Sequence, residues 1–214
     1  NGVSGSSILG AIDKKLLTIP KDKLIFMFVG RLESIKGCRE FIDACLISKS
    51  SVGKKIHAVV IGTGSLENEI RTTVKDSDAT SMFTFIPRLH HEQIPNAHMI
   101  ADVYVSLNHL GNLSNANLEC MYSNLCMIIP YSRKVDNIDA ATDLLVPESA
   151  VIRISPHNMT QELASRIIDI ASDPNMIDNY KAAMQKAAPK FLVSWDRRIA
   201  DEISILESIV RQET

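Results

Sequence analysis

Aromatic residues make up only 5% of this sequence, with a single Trp, so any core must be built mainly from Ile, Leu, Val and Ala. Excess basic charge is also missing: 23 Lys and Arg stand against 25 Asp and Glu, a formal charge of −2. That balance removes the electrostatic footprint that nucleic-acid binding needs. No apolar run approaches the ~18–20 residues that would span a bilayer, and no stretch has the character of a signal peptide. The four cysteines, Cys38, Cys45, Cys120 and Cys126, form no C-x-x-C pair and have no His at ligand spacing, which speaks against a zinc site. They are expected as reduced, structural thiols in a reducing compartment. Repeats, low-complexity stretches and linkers are absent too. The 214 residues therefore read as one domain over 1–214, long enough to bury roughly 70% of its unfolded surface without a disulfide or metal.

What is present is an alternation. Short apolar runs at Leu24–Val29, Ile56–Ile61, Met82–Ile86, Asp102–Leu107, Leu125–Ile129 and Val151–Ile154 have strand length and no in/out pattern. Strands covered on both faces of a parallel sheet read this way. Between them, apolar residues recur at three- and four-residue intervals. Phe41, Ala44, Cys45 and Ile47 fit one helix, Leu66, Ile70 and Val74 another, and Ile94, Ala97, Ile100 and Ala101 a third. The fold expected is α/β: a doubly wound, Rossmann-like parallel sheet of about six strands, with extra C-terminal helices.

From Thr160 onward the pattern is helical, punctuated by Pro156, Pro174 and Pro189. Asn158 or Thr160 can cap the first helix, and Asp173 the second, with Pro174 in its first turn. A last helix from about Ser194 to Val210 carries Trp195, Ile199, Ile203, Leu206 and Val210 on one stripe.

Ligands of open parallel sheets bind beyond the carboxyl ends of the strands, so the residues after each strand are the candidates. The first strand is followed by Gly30-Arg31-Leu32-Glu33-Ser34-Ile35-Lys36-Gly37. A guanidinium fork and a mobile ammonium framed by glycines could neutralise a diphosphate, or could simply be solvated loop charges. Gly62-Thr63-Gly64-Ser65-Leu66-Glu67 follows the second. It is a tight glycine turn in which Ser65 can cap a helix, but Glu67 replaces the third glycine of a dinucleotide fingerprint. After the fourth strand, Ser114 or Asn115 can cap a helix whose first N–H groups would face an anion. Glu119, one turn further, would need hydroxyl or N–H partners if buried; it could equally satisfy a neighbouring backbone turn. His90-His91 is expected in solvent, His109 is either a hydrogen-bonding group near the site or structural, and the lysine pairs at 14–15 and 54–55 are expected on solvated faces.

Taken in order, Phe-Val-Gly-Arg-x4-Lys-Gly at 28–37, Val-Ile-Gly-x-Gly at 60–64, Leu-Glu-Cys-Met at 118–121 and Ser-Trp at 194–195 resemble a known family. The chain is similar to the C-terminal domain of retaining glycosyltransferases with two Rossmann-like halves (the GT-B fold), in the group 1 family that includes bacterial capsule, lipopolysaccharide and mannosyl transferases. The similarity runs from Asn1-Gly2-Val3, which resembles the turn leaving the interdomain linker, to the terminal helix, itself resembling the one that packs back toward the partner domain.

The resemblance implies roles. Arg31 and Lys36 would be catalytic, gripping the donor's diphosphate as the glycosidic bond breaks. Gly30 would admit the donor to the backbone, Gly62 and Gly64 would shape the nearby wall, and Pro87 and Arg88 would line the base. Ser114 and Asn115 would turn their N–H groups to phosphate and Glu119 would bind ribose hydroxyls. The donor would be a UDP- or GDP-sugar, with no cofactor and no metal required. One departure is clear: the family's first glutamate, eight positions before Glu119, is Gly111 here. Asn112 or Asn115 would take over hydroxyl contacts in a variant subgroup, or the chain is a degenerate, non-catalytic member.

The implied protein is the donor-binding half of an enzyme extending a glycan, lipid or other acceptor in polysaccharide or cell-envelope synthesis. Its acceptor-binding domain would precede Asn1. The isolated half would be inactive, and the full-length enzyme cytoplasmic with peripheral membrane contact. Alternatives remain. A flavodoxin-like or receiver-like regulatory module should cluster acids where Gly30-Arg31 stands; a phosphorylase needs a marked pyridoxal lysine, and a sugar epimerase is a further relative. A nicotinamide dehydrogenase lacks its third glycine and the ribose-binding acid after the first helix.

Overall fold

A computed structural model describes residues 16–192 and 195–212. The Asn1-Gly2-Val3 turn, the lysines at 14 and 15 and the Ser194 cap lie outside the described residues, as does the side chain of Trp195.

Six strands form one parallel sheet in the order β3-β2-β1-β4-β5-β6. They are β1 (Leu24–Val29), β2 (Ile56–Ile61), β3 (Phe83–Ile86), β4 (Val103–Val105), β5 (Cys126–Pro130) and β6 (Ile152–Ile154). β1 pairs with β2 along its whole length, Leu24↔Ile56 to Val29↔Ile61, and with β4 at Phe26↔Val103. The helices are α1 (Cys38–Val52), α2 (Glu67–Asp76), α3 (Ile94–Ile100), α4 (Asn115–Tyr122), α5 (Ala140–Leu145), α6 (Met159–Ser172), α7 (Asn175–Ala187) and α8 (Trp195–Gln212). This is the doubly wound α/β architecture expected.

Each face of the sheet has its own apolar core. Phe26 and Phe28 of β1 join Phe41 and Ile42 of α1 and Leu163 and Ile167 of α6; Phe28 stacks on Phe41 with ring centroids 5.8 Å apart. Ile25 and Met27, pointing the other way, join Ala97 of α3, Cys120 and Met121 of α4 and Met184 of α7. Two covered faces are why the strands show no polar alternation. All four cysteines are free and buried; burial lifts the Cys38 thiol to about 11 and Cys126 to about 12, so they stay protonated.

The elements differ from the sequence expectation at their ends and in three details. Met82 closes a 3₁₀ turn before β3. β4 is shorter than the Asp102–Leu107 run: at its start the Asp102 carboxylate takes the Ile25 N–H at 2.7 Å, while Ser106 past its end still donates its N–H to Ile128 O at 3.0 Å. Ser65 does not cap α2: its hydroxyl and N–H donate to Glu33 instead, at 2.6 and 3.0 Å. The sixth run hides a charge, since Arg153 on β6 is buried and donates to the carbonyls of Pro130, Thr142 and Val146 at 3.1–3.3 Å, beside Asp143 at 3.1 Å. It thereby ties the end of the short helix α5 to the sheet edge. Pro174, not Asp173, takes the N-cap position of α7, and Asp173, one residue further out, accepts the Asn175 N–H at 3.2 Å.

Candidate functional site

Strand order reverses between β1 and β4, and the loops leaving these two strands meet there. His109 donates its backbone N–H to Ile35 O at 3.0 Å. Gly37, in the left-handed region at φ 70°, lies so close to Leu107 that an added Cβ would stand 2.6 Å from its carbonyl oxygen. A crevice at the carboxyl ends of adjacent, oppositely wound strands is where open α/β sheets take ligands.

Arg31 and Lys36 both sit on the β1 side of this junction, Arg31 exposed and Lys36 half-buried at the end of a 3₁₀ turn, Ser34–Lys36. Among the described residues neither side chain makes a hydrogen bond or salt bridge. Glu33 between them is engaged by Ser65, whose hydroxyl and N–H hold its carboxyl below the usual range, with a smaller contribution from the Arg31 charge.

The glycines divide by purpose. Gly62 (φ 148°) and Gly64 press the β2–α2 turn onto the carbonyls of Gly30 and Leu32, leaving no room for a side chain. Gly30 meets only the Phe28 ring, at 3.7 Å, so the fold places no such demand on it. Pro87 and Arg88 are exposed just past β3, next to Ile86, whose carbonyl takes the Gly62 N–H at 2.9 Å.

On the β4 side, Ser114 caps α4, accepting the Asn117 N–H at 3.4 Å, and Asn115 is exposed in the first turn. Glu119 is not buried. Its side chain is 37% exposed, and the imidazole Nδ1 of His91 lies 3.9 Å from its Oε1. His91 is exposed, as expected, and the β3–α3 loop also brings it beside α4, a juxtaposition no sequence spacing could reveal.

Asn112 corrects an expectation. It is buried, with its Oδ1 accepting from Ser106 Oγ and its Nδ2 donating to Asp139, so its amide is spent inside the protein. Asn115 is the asparagine left facing outward. Gly111 holds φ 153°, a conformation that disfavours the glutamate its family position would suggest. His109 is half-buried; Nε2 lies 3.3 Å from Glu40 Oε1 without hydrogen-bond geometry. A cavity of about 30 Å³ between the β4–α4 and β5–α5 loops, lined in part by His109, Tyr131, Arg133 and Asp139, has room for about one water. A larger ligand would lie across the open crevice.

The family model described as glycosyl transferases group 1 matches residues 11–191. The chain belongs to the group 1 glycosyl transferases. No curated protein matches it, but solved structures share its fold. The C-terminal domain of the group 1 protein LpcC from Francisella tularensis superposes with TM-score 0.70 at 20% identity, over 83% of this chain and 91% of that one. Sucrose-phosphate synthase from Thermosynechococcus elongatus gives 0.69 at 18% identity over 95% of this chain, and HepE of Anabaena, in complex with UDP-glucose, 0.69 at 16% over 86%. The match covers 50% and 49% of those two chains, so this glycosyl transferase chain spans about half their length. At such identities the likeness is one of fold, and that fold is the Rossmann-like one of C-terminal domains in this family.

Proposed function

We propose that this group 1 glycosyl transferase chain is the donor-binding half of a retaining enzyme that moves a sugar from a nucleotide-diphosphate sugar to a glycan, lipid or other acceptor. The observation that carries the reading is the pair Arg31 and Lys36: two cationic side chains without hydrogen-bond or ion-pair partners among the described residues, on the loop that leaves β1 where the strand order reverses. A diphosphate there would receive a guanidinium fork, a mobile ammonium and the N–H groups after Ser114. As the bond from sugar to phosphate breaks, negative charge grows on the departing nucleotide, and these groups stabilise it. They supply the charge that a divalent cation supplies elsewhere, so the proposed reaction requires no metal.

Glu119, half-exposed, would accept the ribose hydroxyls, and the backbone around Pro87 and Arg88 would line the base of a UDP or GDP. Attack on the face that the nucleotide leaves would retain the anomeric configuration. The acceptor would come from an N-terminal half, whose docking would cover the exposed apolar side chains Ile199, Ile203 and Leu206 of α8. Polysaccharide or cell-envelope assembly, a cytoplasmic location and peripheral membrane contact belong to the same proposal. With Gly111 at the sugar end, sugar choice would differ from that of family members carrying glutamate there.

On this reading the chain by itself binds nucleotide weakly and turns over nothing. Isothermal calorimetry with UDP and GDP at millimolar concentration is the test. Saturable heat with one of them is expected, and heats equal to buffer for both would contradict the proposal.

A further inference from the structure

We propose that Asp139 is a positioning residue for the donor-binding loop after β4, acting through Asn112. The inference rests on the donor-binding reading for its functional consequence, but its structural part stands without it. Asp139 lies in the β5–α5 connection, 27 residues beyond Asn112. Its Oδ2 accepts both the backbone N–H and the side-chain Nδ2 of Asn112, at 3.0 and 2.9 Å, and its Oδ1 accepts the Thr142 hydroxyl. Bonds to an ionised oxygen are about twice as strong as neutral ones.

From Asn112 the bonding continues without a gap to α4. Ser106 Oγ donates to Asn112 Oδ1 at 3.1 Å, and Asn117 Nδ2 donates to Ser106 Oγ and to Asn112 O at 2.9 and 3.1 Å. Asn117 in turn gives its backbone N–H to the capping Ser114. Asn112, Asn117 and Thr142 are each 1% exposed or less, so the network is closed to bulk solvent.

The backbone is unusual at the same spot. Asp139 is a non-glycine residue in the left-handed region at φ 66°, which aspartate tolerates better than most residues, and Gly111 facing it sits at φ 153°; a Cβ on Gly111 would touch Asp139 Oδ1 at 3.5 Å. The carboxylate is what holds the two loops together, and it sets where the first turn of α4 stands.

The test uses the whole chain and two readouts. In Asp139→Ala, amide hydrogen exchange at residues 112–118 should accelerate while β1 stays protected, and UDP affinity should fall about tenfold. Amide shifts of residues 31–37 on UDP addition should persist. Asp139→Asn should restore both properties to within about threefold, because asparagine tolerates positive φ and its carbonyl can take both Asn112 donors while its NH₂ meets the Thr142 hydroxyl. Unchanged exchange at 112–118 in the alanine variant overturns the proposal. Exchange that rises equally in β1 also overturns it, since Asp139 would then be a general stability residue. If the parent chain shows no response to UDP or GDP, it is the donor-binding reading that fails, and the exchange result still decides whether Asp139 orders the loop.

Discussion

Gly62 stands so close to the carbonyl oxygen of Gly30 that no side-chain carbon fits between them. The β2–α2 turn is thus pressed onto the β1 loop by backbone alone, and that loop carries both candidate diphosphate cations. The loop is held from the other side by Gly37 against Leu107 and by the His109–Ile35 bond. Its cations are free while its backbone is clamped, which is how a pre-organised anion site is built.

Gly62→Ala should therefore cost roughly 3 kcal/mol, from strain at φ 148° and the clash with Gly30. Gly30→Ala should cost under about 1 kcal/mol, since only the Phe28 ring is near, yet weaken nucleotide binding. Urea denaturation of the two variants separates them; equal losses would contradict the division of roles.

Arg153→Met should destabilise the domain by about 3 kcal/mol. Its removal takes a donor from the carbonyls of Pro130, Thr142 and Val146, of which Thr142 O keeps the Val146 N–H, and leaves Asp143 without its cation. Denaturant midpoints of parent and variant at pH 7 measure the loss. A variant as stable as the parent would show that apolar packing replaces the network.

Stability should fall in mild acid. Burial lowers the pKa of His98 to about 4, and burial with a smaller effect of the Lys23 charge lowers His57 to about 4. Both folded values lie below the unfolded value of ~6.5, so the unfolded chain binds protons first. The stabilisation is complete above pH ~6.5 and is lost as pH falls toward 4, at up to about 1.4 kcal/mol per pH unit for each ring. Denaturation at pH 7.5, 6 and 5 should show this slope. His98→Gln should flatten it, and an unchanged slope would remove His98 from the account.

The alternating architecture was legible because strands buried on both faces leave long uniform apolar runs, as at Leu24–Val29 and Ile56–Ile61, whose limits the structure reproduces. Shorter strands blurred: the apolar run Asp102–Leu107 holds only the three-residue strand Val103–Val105, because the flanking residues still bond the neighbouring strands without extending the ladder. The cations Arg31 and Lys36 were visible because a glycine-framed loop after a strand is a local signal. Asp139, His91 and Arg153 were not, because each acts across loops that only the fold brings together. Asn112 was misassigned for the same reason: a polar residue in a polar loop looks exposed until a carboxylate 27 residues away is seen to bury it.

The most direct measurement is the ³¹P spectrum of UDP and of GDP titrated with the parent chain and with Arg31→Ala and Lys36→Ala. Neither side chain has a hydrogen-bond or ion-pair partner among the described residues, so both variants should melt within about 2 °C of the parent. The account predicts that the β-phosphorus of one nucleotide shifts and broadens with the parent and stays at its free position with either variant. A folded alanine variant that perturbs that phosphorus as strongly as the parent would contradict the account.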